Sequence, residues 1–342
     1  MTPRIAVLGA GANGAAIGAD LVEAGHRVSL VEQWPEHVEA MRARGVRIEM
    51  PDRTLQADVE VLHFCDVATL RTRFDVVLML MKAYDSVWAA RLIEPYLAAD
   101  GLLVGVQNGM TVDGIAGVVG PTRTVGCVIE ISSMMFEPGV VERHSGPDRS
   151  WFALGAVDDR VRHRVPDVAA LLAHSGTVAV VDDIRAAKWM KLVSNATTLV
   201  TTAILGLPMR EAHALPGMRE LMLRAGQEAL DAGRLQGFPV LPIFGLNAAD
   251  VDDEATAVEV LLDTLLEGFV LDSTKTTILQ DWMKGRHSEV DDINGEVVAQ
   301  LRRHGVAAPA NGAVVALAHE IESGRLGPDP ANLRLLRTKA GL

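Results

Sequence analysis

Cysteine is nearly absent from this chain of 342 residues, which has only Cys65 and Cys127. Neither belongs to a CxxC pair or to a cluster of cysteine and histidine, so the sequence argues against a disulfide scaffold and against a structural zinc site. Because so few cysteines are typical of a reducing compartment, we expect a cytoplasmic protein. No other group of metal ligands stands out, and we expect no bound metal.

Basic charge and long apolar runs are also scarce. The chain carries 32 Lys and Arg against 44 Asp and Glu, which leaves a net charge of −12. Binding to a phosphate backbone needs a dense basic surface, so we expect no nucleic-acid partner. Apolar runs are short or interrupted by glycine and polar residues, and none predicts a membrane span. The chain begins almost directly with a predicted strand, without the regions of a secretory signal.

The apolar residues that are present, 49% of the chain, are patterned differently in two parts. Length alone favours two domains. Residues 1–183 read as alternating strands and helices, and 184–325 read as mostly helical, followed by a tail over 326–342. The strands are expected at Ile5–Leu8, Val28–Val31, Val76–Met81, Leu102–Val106, Val125–Ile131, Trp151–Gly155 and Thr177–Val181. The helices of the second part are expected at Ala186–Leu199, Pro216–Ala232, Val258–Glu267, Thr274–Lys284, Glu289–Arg303 and Ala310–Glu322.

A glycine-rich loop follows the first predicted strand. It reads Gly9-Ala-Gly11-Ala12-Asn13-Gly14 and leads into a predicted helix. In this pattern the first glycine allows a tight turn, the second lets a pyrophosphate approach the backbone, and the third lets the helix pack closely. Because the loop lies between a strand and a helix, it predicts a dinucleotide site at the helix N-terminus, not merely a glycine-rich turn. The expected fold is therefore α/β, with an N-terminal Rossmann-type parallel-sheet domain and a C-terminal all-helical domain.

Glu32 ends the second predicted strand, about twenty residues after the loop. A carboxylate there accepts hydrogen bonds from the ribose 2′-hydroxyl of NAD and repels the 2′-phosphate of NADP. The alternative is a solvated charge at the end of a strand. We favour NAD(H) on this residue.

Two further polar sites follow predicted strands. Lys82 comes directly after Val76–Met81, and Asn108 comes directly after Leu102–Val106. Ligands of parallel sheets bind beyond the carboxyl ends of strands, so both residues are placed to face the cofactor. A solvated lysine and a simple Asn-Gly turn are the alternatives.

A largely apolar helical segment carries Lys191 and Asn195, which share one face because they are four residues apart. Reduction of a carbonyl by hydride creates an alkoxide that needs a proton, and a semi-buried lysine can supply it. A surface lysine is the commoner case for such a residue taken alone.

A polar segment near residue 288 is predicted to start another helix. Ser288 is a good N-cap, with Asp291 three residues on, as in a capping box. Glu289 then falls in the first turn, where the helix dipole favours a carboxylate. It could bind substrate or steady a lysine, or it could serve only the helix start.

Taken together, these motifs resemble the ketopantoate reductase (2-dehydropantoate 2-reductase) family. The resemblance extends over nearly the whole chain and lies in the order and spacing of six motifs. These are the glycine loop, Lys82-Ala-Tyr84, Gln107-Asn108-Gly109, Trp189-x-Lys191-Leu-x-x-Asn195, Gln280-Asp with Glu289 and Ile293-Asn294-Gly295, and Gly305-Val-x-x-Pro309-x-Asn311.

The resemblance implies that hydride passes from a nicotinamide to the carbonyl carbon of a 2-oxo acid. It implies that Lys191 is the general acid and that Glu289 holds the substrate. It places Asn108 near nicotinamide and substrate, and Lys82 on the cofactor side. Asn195 and Thr277 would contact the substrate, although the family more often has serine at the latter position. By resemblance alone, it also implies a homodimer.

Two positions depart from the family pattern. Leu199 stands where the family commonly has a second asparagine, which makes the substrate side more apolar. Glu32 stands where the family has a basic residue for NADPH, so NADP(H) remains the alternative cofactor.

Three functions follow from these observations. The first is reduction of a 2-oxo acid such as ketopantoate. The second is dehydrogenation of another hydroxy acid or of a secondary alcohol on the same fold. The third is a nicotinamide-binding regulatory protein without turnover, which would have no need of both Lys191 and Glu289.

Overall fold

The computed structural model describes residues 3–253 and 255–342. The chain divides into two compact units, Met1–Arg185 and Ala186–Leu342. The division lies two residues after the boundary expected at 183, where the pattern of strands gives way to long helices.

The first unit contains all the strands that the structure describes. They are β1 Arg4–Leu8, β2 Arg27–Glu32, β3 Val46–Glu49, β4 Thr54–Ala57, β5 Glu60–His63, β6 Phe74–Met79, β7 Leu97–Gly105, β8 Thr124–Glu130, β9 Ser133–Met134, β10 Val140–Arg143, β11 Trp151–Ala156 and β12 Thr177–Val180. Its α-helices are α1 Ala12–Glu23, α2 Pro35–Arg44, α3 Ser86–Ile93, α4 Val112–Val119 and α5 Val165–Leu172. Short 3₁₀ turns lie at Phe64–Thr69, Ala83–Asp85, Glu94–Tyr96, Pro121–Arg123, Pro147–Arg149 and Asp159–Arg164.

The main sheet has eight strands in the order β12-β11-β8-β7-β6-β1-β2-β5. The six strands from β8 to β5 run parallel, while β11 pairs antiparallel with β8 and β12 runs parallel to β11. The parallel-sheet prediction is confirmed, with two reversed strands at one edge. Continuous apolar strands such as β6 are buried because helices cover both faces of such a sheet.

The register of the parallel strands aligns the carboxyl ends of β1, β2, β6 and β7. Leu8 at the end of β1 pairs with Val31 of β2 and with Met79 of β6, and Met79 pairs with Gly105 of β7. The residues that follow β1, β6 and β7, together with Glu32 at the end of β2, therefore lie along one edge of the sheet. Strand order reverses at β1, where such sheets bind their ligands.

A second sheet was not anticipated from the sequence. It has four strands in the order β4-β3-β10-β9, in which β3 and β4 form an antiparallel pair and β10 joins β3 in parallel. Each strand has only two to four residues, too few for a clear alternation of apolar and polar side chains.

The second unit is helical, as expected. Its α-helices are α6 Ile184–Ala203, which starts just ahead of the division, α7 Met209–His213, α8 Met218–Leu235, α9 Ala248–Val251, α10 Ala257–Gly268, α11 Thr277–Met283, α12 Glu296–Arg303, α13 Pro309–Glu322 and α14 Asn332–Ala340. A π-helical turn, Asp291–Gly295, precedes α12. In the part of the chain that the structure describes, no helix combines the length and apolar character needed to cross a membrane.

Within the segment 326–342, expected as a tail, residues Asn332–Ala340 form helix α14. Helix α14 packs on α13 and α8, and Leu336 is fully buried. Asn332 donates hydrogen bonds from Nδ2 to the carbonyls of Ile204 (3.0 Å) and Gly327 (2.8 Å). Leu333, Leu336 and Ala340 share one helix face, and this short apolar stripe is enough to dock the segment.

Candidate active site

The glycine loop forms the junction between β1 and α1. Gly9 has φ of +92°, and a Cβ on this residue would lie 3.0 Å from the carbonyl oxygen of Leu80. A Cβ on Gly14 would lie only 2.1 Å from the carbonyl oxygen of Gly9, so the helix packs against the loop at a distance that only glycine permits. A Cβ on Gly11 would meet no atom within 4 Å. Gly11 therefore faces open space at the helix N-terminus, as a pyrophosphate site requires.

Residues outside the motif hold this loop in place. His37, fully buried in α2, donates from Nε2 to the carbonyl oxygen of Ala10 (2.9 Å) and accepts at Nδ1 from the backbone N–H of Gly139 (2.8 Å). These two bonds define a neutral imidazole with its proton on Nε2. Ser133 of β9 donates to Oδ1 of Asn13 at 2.5 Å. The small sheet and the loop that precedes β10 thus brace the dinucleotide loop.

Glu32 lies at the end of β2 and is 7% exposed. Its Oε1 accepts hydrogen bonds from the backbone N–H groups of Gln33 (2.8 Å) and Trp34 (3.0 Å). The carboxylate therefore stabilises the entry into α2 and is held in one orientation at the carboxyl edge of the sheet. The two backbone bonds confirm a local structural role for Glu32 at the start of α2.

Lys82 and Asn108 lie beyond the ends of β6 and β7, at the same edge as the glycine loop, and both are half-buried. The backbone before Lys82 passes close to the loop, because the carbonyl carbon and oxygen of Leu80 would both lie 3.0 Å from a Cβ on Gly9. Gln107, next to Asn108, is buried and donates from Nε2 to the hydroxyl of Ser86 (3.1 Å). The segments after β6 and β7 are thereby tied together behind the two predicted cofactor ligands.

In the helical unit, Lys191 and Asn195 lie on α6 and are 8% and 1% exposed. The ammonium nitrogen of Lys191 lies 5.0 Å from the centre of the Phe244 ring. Lys191 is thus a buried cation next to an aromatic face and not the surface lysine of the alternative reading. Phe244 was missed by the sequence analysis because nothing in its local pattern marks it.

Helix α6 is held against α8 by its tryptophan. Trp189 is 1% exposed, and its indole N–H donates to the carbonyl oxygen of Ala229 in α8 (2.9 Å). Gly233 makes room for this ring, since a Cβ there would lie 2.2 Å from the indole nitrogen. About two and three turns after Trp189, the buried hydroxyls of Thr197 and Thr201 donate to carbonyl oxygens four residues earlier in α6. The contacts of Trp189 with α8 restrict rotation of α6 and therefore of Lys191.

Glu289 is 3% exposed and lies in a bend two residues before the π-helical turn. The prediction that it belongs to the first turn of a helix, capped by Ser288 and Asp291, is wrong. Glu322 of α13 accepts instead from the hydroxyl (2.6 Å) and the backbone N–H (2.9 Å) of Ser288, and Asp291 binds His319 (2.9 Å). Since Glu322 takes up these donors, the chain stays non-helical at Glu289 and the helix begins later.

A buried polar network fixes the turn that follows Glu289. Asn294 donates from Nδ2 to the carbonyl oxygen of Ala196 in α6 (3.1 Å) and to Oδ1 of Asn311 (2.8 Å). Glu228 accepts from the side chain of Asn311 (2.8 Å) and from the backbone N–H of Ala310 (2.9 Å). Asn294, Asn311 and Glu228 are 0%, 0% and 5% exposed. This network joins the π-helical turn to α6, α8 and α13, and π-helical turns are frequent at functional sites.

Thr277 is the first residue of α11 and is half-buried. The hydroxyl of Thr276 caps this helix by accepting from the backbone N–H of Leu279 at 3.3 Å. Because its neighbour performs the capping, Thr277 is not needed for the helix start.

The pKa of the Asp292 carboxyl, in the π-helical turn, is clearly raised. Burial, followed by the charges of Glu289, Asp291 and Glu296, raises the pKa of Asp292 to about 6. Between pH 3.8 and about 6, the Asp292 carboxyl is therefore mostly protonated in the folded chain and mostly ionised in the unfolded chain. Stability contributed by this group is greatest at low pH and falls as the pH rises through that window.

We expect Asp292→Asn to raise the free energy of unfolding by about 1 kcal/mol near pH 7, after allowance for solvent screening. The gain should largely vanish near pH 3, where the wild-type residue is mostly protonated in both the folded and the unfolded state. Urea unfolding at the two pH values measures it. Asp291→Asn, at a mostly exposed neighbour whose charge is one of the smaller causes of the shift, is the control and should show a smaller pH-dependent gain. A gain at Asp292 that is equal at both pH values would contradict the electrostatic origin.

The sequence matches a known family over most of its length. A family model described as ketopantoate reductase PanE/ApbA matches residues 5–157, and its C-terminal counterpart matches residues 183–322. A 2-dehydropantoate 2-reductase of Caulobacter vibrioides is 28% identical over 325 residues, which cover 92% of this chain and 97% of the relative.

Solved structures agree over the same range. A PanE/ApbA family ketopantoate reductase from Ralstonia eutropha superimposes with a TM-score of 0.78 and 26% identity, over 94% of this chain and 99% of the other. A D-mandelate dehydrogenase, solved with NADH and anilino(oxo)acetate, gives a TM-score of 0.83 at 20% identity, over 94% and 99%. The latter shows a shared fold alone.

Proposed function

Because this chain belongs to the ketopantoate reductase family, we propose that it reduces the carbonyl group of a 2-oxo acid, 2-dehydropantoate or a close analogue, with hydride from NADH. The observation that carries the proposal is the buried ammonium of Lys191 in a unit that also buries Glu289 and Asn195. A regulatory protein that only binds a nicotinamide has no use for a buried proton donor of this kind.

The residues present fit a dinucleotide. The open space at Gly11 and the N-terminus of α1 receive the pyrophosphate, with Ala12 and Asn13 supplying the first turn of the helix. Glu32 binds the ribose, and Lys82 and Asn108 lie towards the nicotinamide end. Bound NADH supplies the hydride.

Lys191 acts as the general acid. When the carbonyl carbon gains hydride, the electron pair of the C=O bond moves to oxygen, and Nζ of Lys191 gives that oxygen its proton. The resulting neutral amine regains a proton from solvent before the next turnover. Burial keeps water from competing at the donor, and the bond from the Trp189 indole to Ala229 of α8 holds α6 in place.

Glu289, Asn195 and Thr277 orient the substrate. A carboxylate accepts from substrate hydroxyls, while the amide of Asn195 and the hydroxyl of Thr277 can donate to a substrate carboxylate. Leu199 lies one turn beyond Asn195 on α6 and offers an apolar contact where a second asparagine would donate. It favours a substrate with an apolar branch over a more polar one.

The activity is tested with purified protein, NADH and NADPH separately, and a panel of 2-oxo acids that includes 2-dehydropantoate. Loss of nicotinamide absorbance on addition of one or more 2-oxo acids is the expected result. Cofactor binding without oxidation by any member would instead support the regulatory protein. Running the panel of product hydroxy acids and secondary alcohols with NAD tests the dehydrogenase alternative.

For the cofactor, we expect Glu32→Arg to shift the ratio of kcat/KM from NADH towards NADPH by on the order of 10-fold or more. The reason is that the variant replaces repulsion of a 2′-phosphate by attraction. Glu32→Gln is the matched control, since its amide oxygen can still accept from the N–H groups of Gln33 and Trp34 while the charge is lost. An unchanged ratio in Glu32→Arg would remove Glu32 from cofactor selection.

We further infer a cytoplasmic homodimer. Cys65 and Cys127 are not joined in a disulfide, which supports a reducing compartment, and the dimer rests on the family resemblance. Sedimentation equilibrium of the full chain measures whether it is a dimer in solution.

A further inference from the structure

Phe244 contacts the residue to which the proposed function assigns proton transfer. Its ring centre lies 5.0 Å from Nζ of Lys191, and the two side chains are 6% and 8% exposed. A cation within about 6 Å of an aromatic face is attracted by the ring quadrupole, and the attraction grows when both groups are removed from water. Both conditions are met here.

The backbone at Phe244 is held in an unusual conformation. Its φ of +61° lies in the left-handed region, and among the described residues no other non-glycine residue has a positive φ. A bulky side chain is disfavoured there, and such strain persists at sites where the surrounding structure requires it. Gly245, the next residue, has φ of +81° without strain. A phenylalanine in the strained position therefore indicates that its ring is needed.

The ring is supported from a second side. Phe269 contacts it with ring centres 5.5 Å apart and a tilt of 48°, a favourable geometry for aromatic pairs. Ile243, the preceding residue, is 1% exposed and anchors the loop. The ring of Phe244 is thus held by Phe269, and its backbone is held by the buried Ile243.

We propose that Phe244 is a positioning residue for catalysis, which holds the Lys191 ammonium by its aromatic face. This inference rests on the proposed function. An aromatic face attracts a cation but is not a base, unlike a carboxylate, so it does not take the proton that Lys191 must transfer. The ring thereby restrains the position of the nitrogen in the protonated state from which the proton is transferred. After proton transfer the neutral amine loses this attraction, and it regains it on reprotonation.

Replacement of Phe244 by 4-fluoro-, 3,5-difluoro- and 3,4,5-trifluorophenylalanine tests the proposal, because fluorine weakens the quadrupole with little change in shape. We expect kcat to fall stepwise, by about 10-fold at the trifluoro derivative, with KM for the 2-oxo acid changed less than about 2-fold. Phe244→Tyr, which keeps the ring, should retain near-wild-type kcat, and Phe244→Leu should lose as much as the trifluoro derivative.

The same fluorinated series at Phe269 is the matched control, because that ring packs on Phe244, whereas the ring that faces Nζ of Lys191 is that of Phe244. Thermal unfolding of every variant separates loss of fold from loss of rate. A flat series at Phe244, or equal slopes at Phe244 and Phe269, would overturn the proposal.

A second measurement does not depend on turnover. The chain has six lysines, so selectively labelled lysine gives a simple NMR spectrum. We expect the ε-methylene protons of Lys191 to be shifted upfield by the ring current of Phe244, and the shift to be lost in Phe244→Leu. An unshifted signal would refute the contact. Wild-type protein that shows this shift but oxidises no cofactor would refute the proposed function and with it the catalytic role of Phe244.

Discussion

Replacing Lys191 by alanine is expected to lower kcat by on the order of 100-fold or more, while the Kd for NADH changes little. The ammonium is needed only when charge develops on the substrate oxygen, so its loss affects the transition state far more than cofactor binding. The measurement is steady-state kinetics with the 2-oxo acid that gives the best turnover, together with fluorescence titration of NADH.

The control for this experiment is Lys191→Met. It keeps an unbranched side chain beside Phe244 and leaves no large cavity, so it separates the missing proton from disturbed packing. Equal losses in the two variants would support the chemical role. A kcat close to that of the wild type in either variant would remove Lys191 from the mechanism.

Substitution by alanine at Gly11 and at Gly14 is expected to affect different properties of the protein. At Gly14 it should lower stability, and at Gly11 it should weaken cofactor binding alone. Gly14→Ala should lower the free energy of unfolding by about 1–3 kcal/mol and abolish cofactor binding, because its Cβ would lie 2.1 Å from the carbonyl oxygen of Gly9. Gly11→Ala should leave the stability within about 0.5 kcal/mol, because φ is −60° and no atom lies near the new Cβ.

Gly11→Ala should instead weaken cofactor binding. We expect the Kd for NADH to rise by at least about 10-fold, because the methyl group occupies space that the pyrophosphate requires. Thermal unfolding with and without NADH measures both effects on one sample. If Gly11→Ala bound NADH as tightly as the wild type, the loop would not be the pyrophosphate site. If Gly14→Ala were as stable as the wild type, the close helix packing would not be essential.

The parallel sheet and the glycine loop could be predicted because their signals are local. Gly9, Gly11 and Gly14 come within six residues, and the conformations that they permit depend on their own missing side chains. The prediction that Glu289 lies in the first turn of a helix was wrong, because residues distant in sequence bind the groups that would have capped that helix. Ser288 and Asp291 have the spacing of a capping box, but Glu322 and His319 of α13 offer other partners, and the helix starts later.

The small sheet escaped prediction for a similar reason. Its β3 and β10 pair across more than ninety residues of chain, and each has four residues, so neither carries an alternating pattern of its own. The brace that this sheet provides for the dinucleotide loop, through Ser133, could therefore not be read from the motif. The docking of α14 likewise depends on partners in α8 and α13.

By itself the sequence determined that this protein has a dinucleotide loop on a parallel sheet, a helical second part, and a lysine and a glutamate at the spacing of a reductase family. Those features follow from short-range periodicity and from the conformational freedom of glycine. Only the tertiary structure decided that Lys191 is buried beside Phe244, that His37 and Ser133 hold the cofactor loop, and that Asn294 ties the turn after Glu289 to α6. The physical reason is that burial, aromatic contacts and shared hydrogen bonds depend on which distant segments meet, and one-dimensional patterns do not record this.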